Sequence, residues 1–193
     1  MLAILRAIER KQIKGAEVRV VISDRADAKA LVTARKHGVK ALWIDPKGAS
    51  SRLEYDDFLL AALAENGIAP GSGLVLLAGF MRLLSPGFVE SYPGRIMNIH
   101  PALLPSFPGL DAQKQAVEHG VKVSGCTVHF VVPEVDSGPI IVQTAVKVEE
   151  GDTPEALAAR ILKQEHRIYP EAVRLFVEGR LKIEGRRVVI SDK

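Results

Sequence analysis

Three short apolar runs rich in β-branched residues, EVRVVI (Glu17 to Ile22), VKALWI (Val39 to Ile44) and LVLLAG (Leu74 to Gly79), recur with helix-length stretches between them. Buried strand, amphipathic helix, buried strand is the grammar of a parallel sheet covered by helices. The first run leads through Ser23 and Asp24 into a predicted helix from about Ala26 to Lys36, and His37-Gly38 returns the chain to the second run. Ser51 and Glu54, three apart, form a capping box for a helix that stops at Gly67.

Downstream, RIMNI (Arg95 to Ile99) predicts a strand that runs into the proline-studded loop HPALLPSFPGLDAQ, and such loops at strand C-termini are where open α/β sheets bind ligands. A helix near Ala112 to His119 and two β segments, SGCTVHFVV and PIIVQTAVKV, follow. Thr153-Pro154 is an N-cap and N1 pair for a helix expected to reach about Tyr169, where Pro170 should interrupt it before a second helical piece ends at Gly179. LKIEGRRVVI reads as a closing hairpin, and Leu2 to Lys14 as an amphipathic helix ended by Gly15, with no strand feeding it. The expected fold is α/β: a Rossmann-like, mixed and mostly parallel sheet with helices on both faces, in a single domain over residues 1–193.

Composition narrows the function. One cysteine, Cys126, leaves no disulfide framework and no cysteine-rich zinc site, and points to a reducing compartment. The net charge of +3 is dispersed, without a basic run or aromatic-interleaved strip, so nucleic acid is not expected as a partner. No stretch approaches the roughly 20 apolar residues of a membrane helix, and the N-terminus lacks signal-peptide features, so the expected location is cytoplasmic. GxGxxG after a strand, the Walker lysine loop, GxSxG and HExxH are all missing, which argues against nicotinamide, NTPase, serine-hydrolase and zinc-protease chemistry.

Asn98 and His100 stand two apart at a strand end, so their side chains leave the sheet on one face and can donate to one oxygen. Equally, Asn98 could cap the turn and His100 simply start the loop. Asp136, in EVDSGPI, has the sequence context of a turn former, yet a carboxylate beside His100 would favour the imidazolium. Glu165 falls on the inward stripe Leu157, Ile161, Ile168, Ala172, where it needs a protein cation or a ligand hydroxyl or amine; otherwise it reaches solvent from the helix edge. His129, two residues after Thr127 on a strand, reads as a packed or supporting histidine rather than a catalytic one.

AGFMRLLSP, MNIHPALLPSFPGLDAQKQA, VSGCTVHFV with VDSGPII, and QEHRIYP resemble, in this order, the glycinamide ribonucleotide formyltransferases of purine biosynthesis, from Leu2 to about Val189. The resemblance implies transfer of a formyl group from 10-formyltetrahydrofolate, a co-substrate, to the amino group of glycinamide ribonucleotide, with no metal. Asn98 and His100 would stabilise the tetrahedral oxyanion, His100 would donate a proton, and Asp136 would raise its pKa. The folate pocket would be formed by Arg52, by Met81, Arg82, Leu83 and Leu84, by Asn98, and by Val132, Pro133, Glu134, Val135 and Asp136. Leu162, Lys163, Gln164 and Glu165 would hold the ribonucleotide. A homodimer is compatible with this reading.

Members of the family open with a strand and a glycine-serine-asparagine loop that holds the substrate phosphate; here Met1-Leu2-Ala3-Ile4 matches the helix after that loop. The expectation is a chain that lacks the N-terminal strand and phosphate loop through a misplaced start or truncation. PGSG at Pro70 to Gly73 is a second, minor departure. The alternatives are a formyltetrahydrofolate hydrolase, a formyltransferase acting on another amine, or an inactive folate-binding fragment.

Overall fold

The computed structural model describes residues 1–192. In order, it contains α1 (Leu2–Glu9), β1 (Val20–Ser23), α2 (Lys29–Lys36), β2 (Lys40–Trp43), α3 (Arg52–Glu65), β3 (Val75–Leu77), α4 (Pro86–Ser91), β4 (Ile96–His100), α5 (Ala112–Glu118), β5 (Val123–Phe130), β6 (Ile140–Lys147), α6 (Pro154–Val177), β7 (Leu181–Glu184) and β8 (Arg187–Ile190). β3 and β4 pair in parallel, β5 and β6 continue antiparallel, and β8 joins β6 in parallel with β7 at the edge. The strand-helix alternation of the first half and the closing hairpin are as the sequence predicts.

Period-two alternation distributes the core over both faces of the sheet. Met97, Cys126, Val128 and Phe130 pack on one side with Ile4 and Ala7 of α1, Ala116 of α5, and Leu157, Ile161, Ile168 and Ala172 of α6. Ile96 packs on the other with Tyr55, Leu59 and Leu63 of α3 and Phe88 and Val89 of α4. Leu157 and Ile161 are wholly buried; each such side chain contributes about 1.5–3 kcal/mol over its exposed state. Asn98 and His100, in phase with Ile96, therefore leave β4 on the α3–α4 side.

Side-chain caps set several helix starts. The Oγ of Ser51 accepts from the Glu54 N–H, that of Ser85 from the Phe88 N–H, and that of Thr153 from the Ala156 N–H; such caps contribute typically about 1 kcal/mol each. The capping box closes one residue early, because the Glu54 carboxylate accepts from the Ser50 N–H.

Two expectations need correction. α1 ends at Glu9 rather than Lys14, because Lys11 takes a φ of +57° and the Gln12 and Ile13 N–H groups turn back to the Ala7 carbonyl, which buries Ile13. Pro170 does not interrupt α6. Loss of one backbone donor is tolerated there because Ile168, Tyr169, Ala172 and Val173 are all buried around it, and the Tyr169 hydroxyl donates to the carbonyls of Leu77 (2.9 Å) and Met97 (3.0 Å). Tyr169 thereby ties the helix to β3 and β4 beside the proline.

β1 and β2 pair only with each other among the described strands, so the sheet is in two parts. Asp24, just past β1, lies 3.7 Å from Arg82, past β3, and Arg19, just before β1, donates to the Asn66 carbonyl ahead of β3, so the two strands run in the same direction. Both line a cavity of about 1060 Å3 whose walls also carry Ile4, Ile8, Leu59, Phe88, Val173 and Phe176. No helix among the described residues is long and apolar enough to cross a membrane.

Candidate active site

β4 and β5 bring four polar side chains to one point. In the antiparallel register Asn98 stands opposite His129 and His100 opposite Thr127, with a β-bulge between Val128 and His129. A fifth group, Asp136, comes from the turn after β5. Its φ of +49° suits the short polar side chain of an aspartate, and the Ser137 hydroxyl closes the turn on the Glu134 carbonyl. Only glycine fits two residues later: a Cβ on Gly138 would lie 1.8 Å from the Phe130 carbonyl oxygen.

His100 is held from both sides. Its Nε2 lies 2.8 Å from the Phe107 carbonyl, and because a carbonyl only accepts, this nitrogen carries a hydrogen. Nδ1, 3.3 Å from Asp136 Oδ2, is therefore the nitrogen left to face the carboxylate. Phe107 presents its carbonyl from a left-handed backbone, φ +54°. The same Oδ2 accepts the Gly109 N–H at 2.8 Å, so one carboxylate joins the proline loop to the imidazole. The imidazole of His100 is only 4% exposed.

Asn98 Nδ2 donates to His129 Nε2 at 3.3 Å and lies 3.5 Å from Asp136 Oδ1. His129 Nδ1–H in turn donates to the Phe130 carbonyl, which fixes the tautomer and leaves Nε2 to accept. Burial pushes the Asp136 carboxyl up, but the adjoining His129 ring, the hydrogen bond from the Gly109 N–H and the nearby His100 outweigh it and hold the group below the usual carboxylate range. Asp136 is thus an anion at neutral pH.

A second network pins the loop that follows His100. Thr127 Oγ1 donates to the Ala102 carbonyl and accepts from the Leu104 N–H, while Gln143 Nε2 reaches both Thr127 Oγ1 and the Leu104 carbonyl at 2.9 Å. Gln143 carries no signal in the sequence, and His129 reads there only as a packed or supporting histidine. The sequence signal for His129 is its place two residues after Thr127 on a strand.

The other expected residues fall around this point to different degrees. Met81, Arg82, Leu83 and Leu84 lie on the loop leaving β3, the strand beside β4, with Met81 and Leu83 prominently exposed. Val132, Pro133, Glu134 and Val135 lead directly into Asp136, and Val135 is exposed. Arg52 is the exposed first residue of α3. Leu162, Lys163, Gln164 and Glu165 lie on α6, across the sheet, and no hydrogen bond or ion pair joins them to the trio among the described residues. Burial raises the Glu165 carboxyl, against the opposing pull of the Met1 amino group. The cavity between β1 and β3 is lined by neither Asn98, His100 nor Asp136; the titratable cluster, not this void, marks the chemistry. No group of three or more metal-ligating side chains occurs among the described residues.

A parallel-to-antiparallel sheet bearing an amide, an imidazole and a carboxylate at the end of β4 suits transfer of a small acyl group through an oxyanion. The family model for formyl transferases matches residues 1–173, and the chain belongs to that family. Within it, the chain is 45% identical over 181 residues to the phosphoribosylglycinamide formyltransferase of Escherichia coli, a match covering 94% of this chain and 83% of that one. The crystal structure of glycinamide ribonucleotide transformylase 1 from Symbiobacterium toebii is similar with a TM-score of 0.93 at 58% identity, over 98% of this chain and 87% of that one. A formyltetrahydrofolate deformylase from Pseudomonas syringae shares the fold at a TM-score of 0.87 and 26% identity, over 99% of this chain and 61% of that one.

Proposed function

We propose that the chain transfers the formyl group of 10-formyltetrahydrofolate to the amino group of glycinamide ribonucleotide in purine biosynthesis, with Asn98, His100 and Asp136 as the catalytic residues. The observation that carries the residue roles is the 3.3 Å approach of Asp136 to His100 Nδ1, with Asn98 Nδ2 beside the same carboxylate. Exposed apolar side chains on the two flanking loops, Met81, Leu83 and Val135, suit the flat ring system of a folate.

The co-substrate supplies an acyl carbon bonded to nitrogen; attack by the amine converts it to a formamide on the ribonucleotide and leaves tetrahydrofolate. Asn98 turns the Nδ2 hydrogen now directed at Asp136 Oδ1 toward the developing oxyanion, while its other hydrogen stays on His129. His100 donates from Nδ1, because Nε2 is committed to the Phe107 carbonyl. Asp136 accepts a proton from the attacking amine, directly or through one water, so that the net transfer is from the amine to the leaving nitrogen. Neither metal nor covalent enzyme intermediate enters this scheme.

Leu162 to Glu165 hold the ribonucleotide, and the half-buried Glu165 carboxylate is suited to a hydroxyl or amine. Arg52, Met81 to Leu84 and Val132 to Asp136 hold the folate. The likeness to a deformylase favours a second reading, hydrolysis of the same formyl donor. A substrate panel separates them: formylated ribonucleotide appearing only with the amine supports transfer, and formate released without any amine supports hydrolysis.

A further inference from the structure

The loop over residues 79–84 enters the folate pocket in this reading, yet among the described residues none of the backbone-to-backbone hydrogen bonds that close turns elsewhere falls within it. Its position is set from α3. Tyr55 places its ring 5.0 Å under the Arg82 guanidinium, and that guanidinium also lies 3.7 Å from Asp24. The next residue, Asp56, accepts the backbone N–H of Ser85 through Oδ2 at 2.6 Å. Ser85 in turn caps α4 by accepting the Phe88 N–H. One side chain of α3 therefore grips the middle of the loop and its neighbour fixes the point where the loop ends.

Asp56 is 3% exposed and has no salt-bridge partner among the described residues. A carboxylate buried against a single backbone N–H is a costly way to hold a helix, since an apolar side chain would pack there without the desolvation penalty. What the carboxylate adds is direction. The short charge-assisted bond fixes the Ser85 nitrogen, and through it the path of the preceding four residues.

We propose that Asp56 is a positioning residue for folate: it presents the Met81–Leu84 backbone to the co-substrate by anchoring Ser85, without touching the ligand itself. The inference rests on the folate reading of this loop, and predicts that loss of the Asp56 acceptor weakens the folate donor while sparing the ribonucleotide and the chemical step.

The test compares Asp56→Leu, which removes the acceptor, with Asp56→Asn, which retains a neutral one. The folate-donor KM, ribonucleotide KM and kcat are measured along with amide hydrogen exchange over residues 79–85 in the ligand-free protein. For Asp56→Leu the expected result is a rise of about tenfold in folate KM, with the other two constants within about twofold, and faster exchange in the loop. Asp56→Asn should restore most of the folate KM. Parallel rises in both KM values, an asparagine variant as poor as the leucine variant, or unchanged exchange would overturn the proposal. If Asp56→Leu does not fold, Asp56→Ala replaces it, and failure of both to fold would assign Asp56 to stability alone and overturn it too. A parent protein that does not use folate removes the folate reading, whereas the exchange result still decides whether Asp56 holds the loop.

Discussion

Asp136 Oδ2 lies 3.3 Å from His100 Nδ1, on the opposite side of the ring from the Phe107 carbonyl that occupies Nε2. The arrangement leaves one nitrogen of one buried imidazole free to exchange a proton, and puts a carboxylate against it. That pairing explains why the Gly109 N–H, the positive φ of Phe107 and the tight turn at Gly138 all converge on the same few atoms.

Removing the Asp136 charge should therefore reduce turnover while the fold survives. Asp136→Asn retains the Gly109 contact through its amide oxygen but cannot accept a proton, so kcat should fall by about 100-fold or more. Steady-state kinetics, with near-UV circular dichroism to check the fold, measure both halves.

His129 should matter through Asn98. In His129→Phe the ring volume is kept but Asn98 Nδ2 loses its acceptor at 3.3 Å. The freed amide can then turn, and kcat should drop about tenfold. A variant at parental rate would show that Asn98 needs no such support.

Gly138→Ala puts a methyl 1.8 Å from the Phe130 carbonyl oxygen and cannot be accommodated without moving the turn that carries Asp136. A loss of about 2 kcal/mol or more is expected, together with a fall in kcat. Urea denaturation and rate measurements on the same preparation test it.

Asp136 and Asp152 are among the carboxylates that contribute to the acid limb of stability. Asp152 is pushed down to about 2, first by its hydrogen bond with Arg160 and then by the Glu149 N–H, and Asp136 is also held low. Because both folded values lie below the unfolded one of about 3.9, their stabilisation is complete above that pH and is lost as pH falls through the folded values. Asp152→Asn should flatten the stability profile between about pH 4 and pH 2 and leave its shape near neutrality unchanged. A profile parallel to the parent's across that range would remove the pair from the acid limb.

How far the sequence reveals the site depends on whether contacts follow from strand order. Asn98 and His100 were legible because period-two spacing puts them on one face without knowledge of any partner. Asp136 was ambiguous: its turn context gives no hint that β5 returns antiparallel and carries the turn back to His100. His129 was read as a supporting residue, and its register opposite Asn98 required the pairing of β4 with β5. α4 escaped notice because six residues leave too little periodicity, although Ser85 and Pro86 form a readable cap and first turn. The Asp56–Ser85 bond, spanning 29 positions, has no local signature at all.

Formyl transfer from a folate to glycinamide ribonucleotide, catalysed as we propose by Asn98, His100 and Asp136, yields two products in step. The most direct measurement follows formylated ribonucleotide and released tetrahydrofolate together, for the parent and for His100→Ala. Equal amounts of the two products are expected, none without the amine, and a rate at least about 100-fold lower in the variant. Release of formate without the amine, or a His100→Ala rate close to the parent's, would contradict it.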